Sequence, residues 1–288
     1  MSLFIASLNS GSNGNCYYVG NEQEAILVDI GISCREVEKR LLRMNLDIKK
    51  IKAIFISHEH SDHIKGVEVF SRKHKLPVYI TRSTLISGKL LLHEELILEF
   101  QGYQKIKVGN LEIIAFPKFH DASDPHSFIV SGNGVTVGVL TDIGSVCNHV
   151  IDNFKQCHAV FLETNYDEVM MEEGHYPYFL KRRVTGTHGH LSNTQALELF
   201  LNHSSDALSH VLLSHLSRDN NSPQLVKNLF EQHAGKVKVV VASRDYETEV
   251  FHISQNAVHE EAIALSLPEE APKKMQIPVE VPAQFSLF

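Results

Sequence analysis

Apolar residues come in short blocks separated by polar, glycine-rich breaks, with no single long run. Residues 3–8, 16–20 and 25–29 have the length and composition of strands, and "SGSNGN" at 10–15 supplies a tight turn between the first two. Ser33 followed three residues on by Glu36 is a capping-box pair and predicts a helix to about residue 44. Residues 51–57 read as a buried strand, with a helix expected from about 63 to 74. Strands are expected at 112–117, 126–131 and 135–140, the last two joined through "GNG" as a hairpin. A strand at 159–163, a helix at 193–202 capped by Ser192, a strand at 211–214, a helix at 223–233 with Pro223 in its first turn, and a strand at 237–241 complete the pattern. Strands alternate with helices while neighbouring strands also form hairpins, which predicts an α/β layered sandwich with mixed sheets. Past residue 255 the pattern fades into "EEAPKKMQIPVEVPAQ". One domain over 1–255 and a Pro- and Glu-rich tail over 256–288 are therefore expected.

No apolar run is long enough to cross a membrane, and the first 14 residues lack the basic region of a signal peptide. Cys16, Cys34, Cys147 and Cys157 include no C-x-x-C pair, which argues against a zinc ribbon or a disulfide framework and suggests a cytoplasmic protein. The net charge of −7 gives no general nucleic-acid-binding surface, although Lys181-Arg182-Arg183 is a local basic run that can grip a phosphate backbone.

Ligand-type side chains gather at the predicted strand ends. "FISHEHSDHIKG" (55–66) places His58, Glu59, His60, Asp62 and His63 directly after an apolar run. His120 and Asp121 follow 112–117, Asp142 follows 135–140, Glu163 closes 159–163, and His215 follows 211–214. Strands running to one face would bring them together on a rigid support. His58 and His60, two apart, cannot share a helix face. In a turn they can pinch one ion while Asp62 and His63 reach a second. Imidazole with carboxylate suits zinc, manganese or iron, and two such ions would lie about 3.5–4 Å apart. Asp142 is the candidate bridge, because a carboxylate has two oxygens to share. His126 competes with His120 as a ligand, but it begins a strand and suits the core. Asp29 in "VDIG" can orient a ligand histidine from behind.

"SHEHSDHIKG" resembles the signature of the metallo-β-lactamase superfamily, as does the order His120, "TDIG" with Asp142 and "SHLSRDN" with His215. "SGSNGN", "FHDASDP", "ETNYD", "YPYFLKRR" and "GHLSN" resemble one subgroup, the YycJ/VicX (WalJ) proteins, over residues 3 to about 250. The resemblance implies an αββα four-layer sandwich with two metal ions between the sheets. It implies one ion on His58, His60 and His120, another on Asp62, His63 and His215, and Asp142 shared. It also implies a DNA exonuclease acting 5′ to 3′ on duplex ends, and some members of the subgroup would carry His where this chain has Tyr166. Of the two "HLS" histidines, His215 ends the cleaner strand. His190 precedes a capped helix, which favours anions, so it is assigned to the scissile phosphate or leaving oxygen with Ser192 and Asn193 as neighbouring donors. Asp62 is placed to orient the nucleophile as well as to bind metal. A small-molecule metallohydrolase (a lactonase or cyclic phosphodiesterase) and a non-catalytic, metal-stabilised binding protein are the alternatives. Finally, Gln284-Phe285-Ser286-Leu287-Phe288 resembles the peptide that binds the bacterial sliding clamp, with Gln284 anchoring by hydrogen bonds and Leu287 and Phe288 entering an apolar pocket.

Overall fold

A computed structural model describes residues 2–255. Its first six strands are β1 (Ser2–Asn9), β2 (Cys16–Gly20), β3 (Ala25–Val28), β4 (Ile51–Phe55), β5 (Val78–Ile80) and β6 (Ile97–Glu99). The next seven are β7 (Lys105–Val108), β8 (Leu111–Pro117), β9 (His126–Gly132), β10 (Val135–Leu140), β11 (Ala159–Glu163), β12 (His210–Ser214) and β13 (Lys238–Val241). A last strand, β14 (Phe251–Ser254), returns to the first sheet, which runs β14-β1-β2-β3-β4-β5-β6. The second sheet runs β13-β12-β11-β10-β9-β8-β7. Each begins with antiparallel hairpins and turns parallel halfway, at β3–β4 in one and β10–β11 in the other.

Period-two alternation explains the layers. In β3, Ile26 and Val28 face the core between the sheets, while Ala25 and Leu27 face an outer core. Both faces of the central strands are covered, so they read as continuous apolar runs. Across the inner core Tyr17 meets Phe161 with ring centroids 4.8 Å apart, and Phe55 meets Phe128 at 5.7 Å. Helices α1 (Cys34–Arg43) and α3 (Val67–His74) cover the first sheet. Helices α5 (Asn148–Phe154), α8 (Asn193–His203) and α9 (Pro223–Glu231) cover the second. The remaining helices are α2 (Ser61–Ile64), α4 (Arg82–Ser87), α6 (Glu168–Glu173) and α7 (Tyr178–Val184). The expected αββα sandwich is the fold found.

Two departures from the sequence reading are informative. The helix expected over 63–74 is split into α2 and α3 at Gly66, whose N–H donates to the Ile30 carbonyl at 2.8 Å. A Cβ there would sit 2.1 Å from the Ile32 carbonyl oxygen, so the chain needs glycine and breaks at it. At α1 only half of the capping box forms. Ser33 accepts from the Glu36 N–H at 3.3 Å, but the Glu36 carboxylate turns to Lys39 at 3.0 Å. The full box forms at α8, between Ser192 and Gln195.

Candidate metal centre

Register brings the strand ends together. Leu140 pairs with Leu162 across β10–β11 and Glu163 with Ser214 across β11–β12, so Asp142, Glu163 and His215 emerge on one edge. In the other sheet Val28 pairs with Phe55, which puts Asp29 beside the turn that carries His58. Asp29, Asp142 and His215 have φ of 59°, 56° and 56°. Left-handed backbone at non-glycine residues is uncommon and costs on the order of 1–3 kcal/mol each. All three strained residues lie one or two positions past a strand, and their side chains end in one buried cluster. Gly31 permits the close approach beneath it, for a Cβ there would lie 1.6 Å from the Asp62 carbonyl oxygen.

Two nests of ligand atoms result. In the first, His60 Nδ1 lies 3.1 Å from His58 Nε2 and 3.3 Å from His120 Nε2. A tetrahedral ion with zinc–nitrogen bonds of 2.0–2.1 Å sets ligand nitrogens about 3.3 Å apart, so the spacing fits a metal. The hydrogen-bond network supplies the right tautomers. His120 Nδ1 donates to the Gly189 carbonyl at 2.9 Å. Ser57 Oγ donates to Asp29 at 2.7 Å and so accepts from His58 Nδ1 at 2.9 Å. Both Nε2 atoms are left as lone pairs facing the nest.

The second nest holds Asp62, His63 and His215. Asp62 Oδ2 is 3.5 Å from His63 Nε2 and 3.6 Å from His215 Nε2. His63 Nδ1 donates to Asp29 at 2.8 Å, so that carboxylate orients one histidine directly and another through Ser57. Asp142 reaches both nests, with Oδ2 3.3 Å from His63 Nε2 and Oδ1 3.9 Å from His120 Nε2. Asp142 Oδ2 and His215 Nδ1 are buried without a hydrogen-bond partner. Although His215 Nδ1 stands 2.9 Å from Asp142 Oδ1, the two are not aligned as a hydrogen bond. A buried carboxylate oxygen left unpaired 3.3 Å from His63 Nε2 fits a cation at the second nest.

The electrostatics differ between the nests. Burial pushes the His58 imidazole well below its usual pKa and that of His120 to about 3, which leaves neutral ligands. Burial also acts against His63 and His215, but the carboxylates around them, Asp142 foremost, hold both well above their usual pKa. An incoming cation would take the place of those protons. Burial lowers the Lys118 ammonium beside the cluster, and its Nζ donates to the Thr141 carbonyl at 2.6 Å.

Glu163 is the site residue that the sequence reading left without a role. Fully buried, it accepts from the Ile143 N–H at 2.6 Å, the Leu191 N–H at 3.2 Å and His190 Nδ1 at 2.7 Å, and lies 3.2 Å from His215 Nδ1. A carboxylate closing a wholly apolar strand was the available signal. The 10–15 loop also serves the site: Ser10 accepts from the His215 N–H at 2.8 Å, and Asn15 Nδ2 lies 3.2 Å from Asp62 Oδ2.

A cleft of about 370 Å³ opens over the nests, lined among others by His60, Asp62, Asp142, His190 and His215. Of the basic run only Arg183 borders it, held by Asp121 at 2.6 Å. Lys181 is tied to the Glu172 carbonyl and Arg182 lies over the Tyr178 ring, because α7 turns them to other faces. Ser192 and Asn193 are corrected as well: both are buried, one as the α8 cap and the other bonded to Asn221 at 3.1 Å, and neither reaches the cleft. His126 stacks edge-on against Phe100, as a core residue does. Glu59 turns away from the nests to Ser123 at 2.8 Å. Tyr166 is buried, bridging to Ser192 through its backbone. A further trio, Cys34, Glu38 and His74, lies at α1 and α3, but Lys73 already neutralises Glu38 at 2.7 Å. Gln284, Leu287 and Phe288 lie outside the described residues.

Residues 24–220 match a family described as the beta-lactamase superfamily domain. The exodeoxyribonuclease YycJ of Bacillus anthracis is 33% identical over 232 residues, covering 79% of this chain and 87% of that protein. The exodeoxyribonuclease WalJ of Streptococcus pneumoniae is 31% identical, covering 76% and 83%. The metallo-beta-lactamase fold protein YhfI of Bacillus subtilis superposes with a TM-score of 0.68 at 16% identity, over 88% of this chain and all of that one. Fold, ligand spacing and kinship agree: this chain belongs to the metallo-β-lactamase superfamily, in the family of the YycJ and WalJ proteins.

Proposed function

We propose that this protein is a metal-dependent exonuclease that hydrolyses DNA phosphodiesters 5′ to 3′ from duplex ends. The observation that carries the reading is Asp142, one buried carboxylate reaching two nests with an oxygen left unpaired. The names of the two relatives supply the polymer. They favour DNA over a small-molecule ester, and the complete set of ligand residues disfavours a role without turnover. We assign His58, His60 and His120 to one ion, Asp62, His63 and His215 to the other, and Asp142 to both. Zinc, manganese and iron all suit these donors.

Two divalent ions bound there supply a water acidic enough to ionise near neutral pH and offset charge on the phosphoryl oxygens. The protein's own groups do the rest. We assign the Asp62 side chain, 20% exposed at the cleft, to orienting the attacking water as well as to holding metal. His190 Nδ1 is committed to Glu163, so Nε2 is the atom left to act on the leaving oxygen, and it gives a proton there only from the imidazolium, which carries one proton on each ring nitrogen. Arg183 at the rim steadies the substrate phosphate.

No helix among the described residues is long and apolar enough to cross a membrane. Four unpaired cysteines suit a reducing compartment, and we place the protein in the cytoplasm, in DNA repair. We propose in addition that Gln284, Leu287 and Phe288 dock on a sliding clamp. Leu287→Ala with Phe288→Ala should abolish clamp binding, and unchanged binding would sink that idea.

The test of the enzyme is digestion of an end-labelled duplex with added Mn²⁺, beside Asp142→Ala. Metal-dependent shortening that the variant lacks is expected. An intact duplex, with metal bound to the wild-type protein, would refute the nuclease.

A further inference from the structure

A second cleft of about 550 Å³ lies next to the metal cleft. Ser217 lines both, and the 10–15 loop forms the ridge between them, with Ser12 facing the metal cleft and Ser10 and Asn13 the other. The lining side chains change character across that ridge, with the carboxylates assigned to metal on one side and guanidinium groups on the other. The metal cleft carries Asp62, Asp121 and Asp142 against Arg183, whereas the second carries Arg218 and Arg244 against Asp245. Among the described residues neither of these arginines has a carboxylate within ion-pair distance, Asp245 included. Arg244 is half-buried and donates to the Leu216 carbonyl at 2.6 Å, while Arg218 is exposed and donates no hydrogen bond within the described chain. Burial lowers the Arg244 pKa, Asp245 opposes that, and Arg218 adds to it, so the two guanidinium groups feel one another. Tyr246 stands 66% exposed on the same wall. Helix α9 starts there at Pro223.

An exonuclease substrate is a polymer, so the nucleotides on one side of the scissile bond must leave the metal cleft over its rim. At Ser217 the rim leads to paired cations and an exposed ring. A cationic groove with an aromatic platform is how proteins hold single strands without reading sequence. We propose that this cleft carries the single DNA strand adjoining the scissile phosphate, with Arg218 and Arg244 on its phosphates and Tyr246 against a base. The inference rests on the exonuclease reading and extends it.

The experiment is steady-state hydrolysis by the metal-loaded full chain of an end-labelled 20-base-pair duplex, whose cleaved strand would enter the second cleft, and of bis(p-nitrophenyl) phosphate, which is too small to reach that cleft. The variant is Arg218→Ala with Tyr246→Ala; Arg244 is spared because it also holds the Leu216 carbonyl. We expect KM for the duplex to rise about tenfold or more, and the slope of log(kcat/KM) on log[salt] to weaken by about 0.7 for the lost phosphate contact. The small diester should be cleaved at the wild-type rate. Arg218→Lys, which keeps the charge, should keep the salt slope. Unchanged KM and slope on the duplex would overturn the proposal and leave the exonuclease reading standing. Equal losses on both substrates would overturn it too, by tying Arg218 and Tyr246 to the metal centre. A wild-type protein that cleaves the small diester but no DNA would overturn both readings.

Discussion

Asp29→Asn tests the reasoning about the metal centre most directly. Asp29 is fully buried and accepts three hydrogen bonds, from the Ser57 N–H and Ser57 Oγ at 2.8 and 2.7 Å and from His63 Nδ1 at 2.8 Å. Its φ of 59° is one that asparagine adopts as readily as aspartate, so the exchange leaves the backbone alone. The amide can keep the Ser57 N–H bond through its oxygen, but its NH₂ then faces His63 and Ser57 Oγ, both donors in the wild type. His63 would have to accept on Nδ1 and carry its proton on Nε2. Ser57 Oγ, now accepting from the introduced amide, would turn its own proton toward His58 and move the His58 proton to Nε2. Either change blocks a lone pair that faces a nest. Groups behind metal-bound histidines are worth about 10–100-fold in affinity, or about 1.4–2.7 kcal/mol. Both ions should therefore bind about 10–100-fold more weakly, as read by competition with a chromophoric chelator. Loss of one charge-assisted bond should also cost the metal-free protein about 1.5–3 kcal/mol, or roughly 3–12 °C in Tm for a domain of this size. A variant that binds both ions with wild-type affinity would refute the tautomer chain.

Glu163→Gln should leave KM for the duplex nearly unchanged and lower kcat by roughly 10²-fold, because His190 loses the carboxylate that pairs with its imidazolium, the form able to give a proton from Nε2; a wild-type kcat would remove Glu163 from the mechanism. Gly31→Ala places a methyl 1.6 Å from the Asp62 backbone carbonyl oxygen and should cost roughly 3 kcal/mol in urea unfolding while weakening metal binding at the nest to which we assign Asp62. Glu24 joins the sheets by accepting from Asn21 Nδ2 at 2.7 Å and the Asn110 N–H at 2.6 Å. Burial raises its pKa, but these bonds to the charged form lower it more, leaving it below the usual 4.5. A depressed folded pKa gives stability that is present above about pH 4.5 and lost as pH falls through the folded value. Glu24→Gln should thus be about 1 kcal/mol less stable at pH 7, and the two melting curves should converge below about pH 4; a gap constant from pH 3 to 7 would contradict this.

The central strands and the nearest ligands can be read from the amino-acid order alone. A strand covered on both faces must be mostly apolar, so β1, β3, β4, β10, β11 and β12 were legible as blocks, with the exposed Lys52 of β4 an exception. His58, His60, Asp62 and His63 sit within six residues, so their spacing carried the chemistry with no need of the fold. Short strands such as β5 and β6, three residues each, hold too few positions to show a period. Whatever depends on which strand ends lie side by side waited for the packed sheets. Only the β10–β11–β12 register sets Glu163 behind His190 and His215, because its partners are 27 and 52 residues away. Only the packing of α7 and α8 separates Arg183 at the rim from Lys181, Arg182, Ser192 and Asn193, since spacing along a chain does not say which face a helix turns to a cleft. Local spacing is written in sequence, whereas convergence of distant residues is a property of register, and register exists only once the sheets have formed.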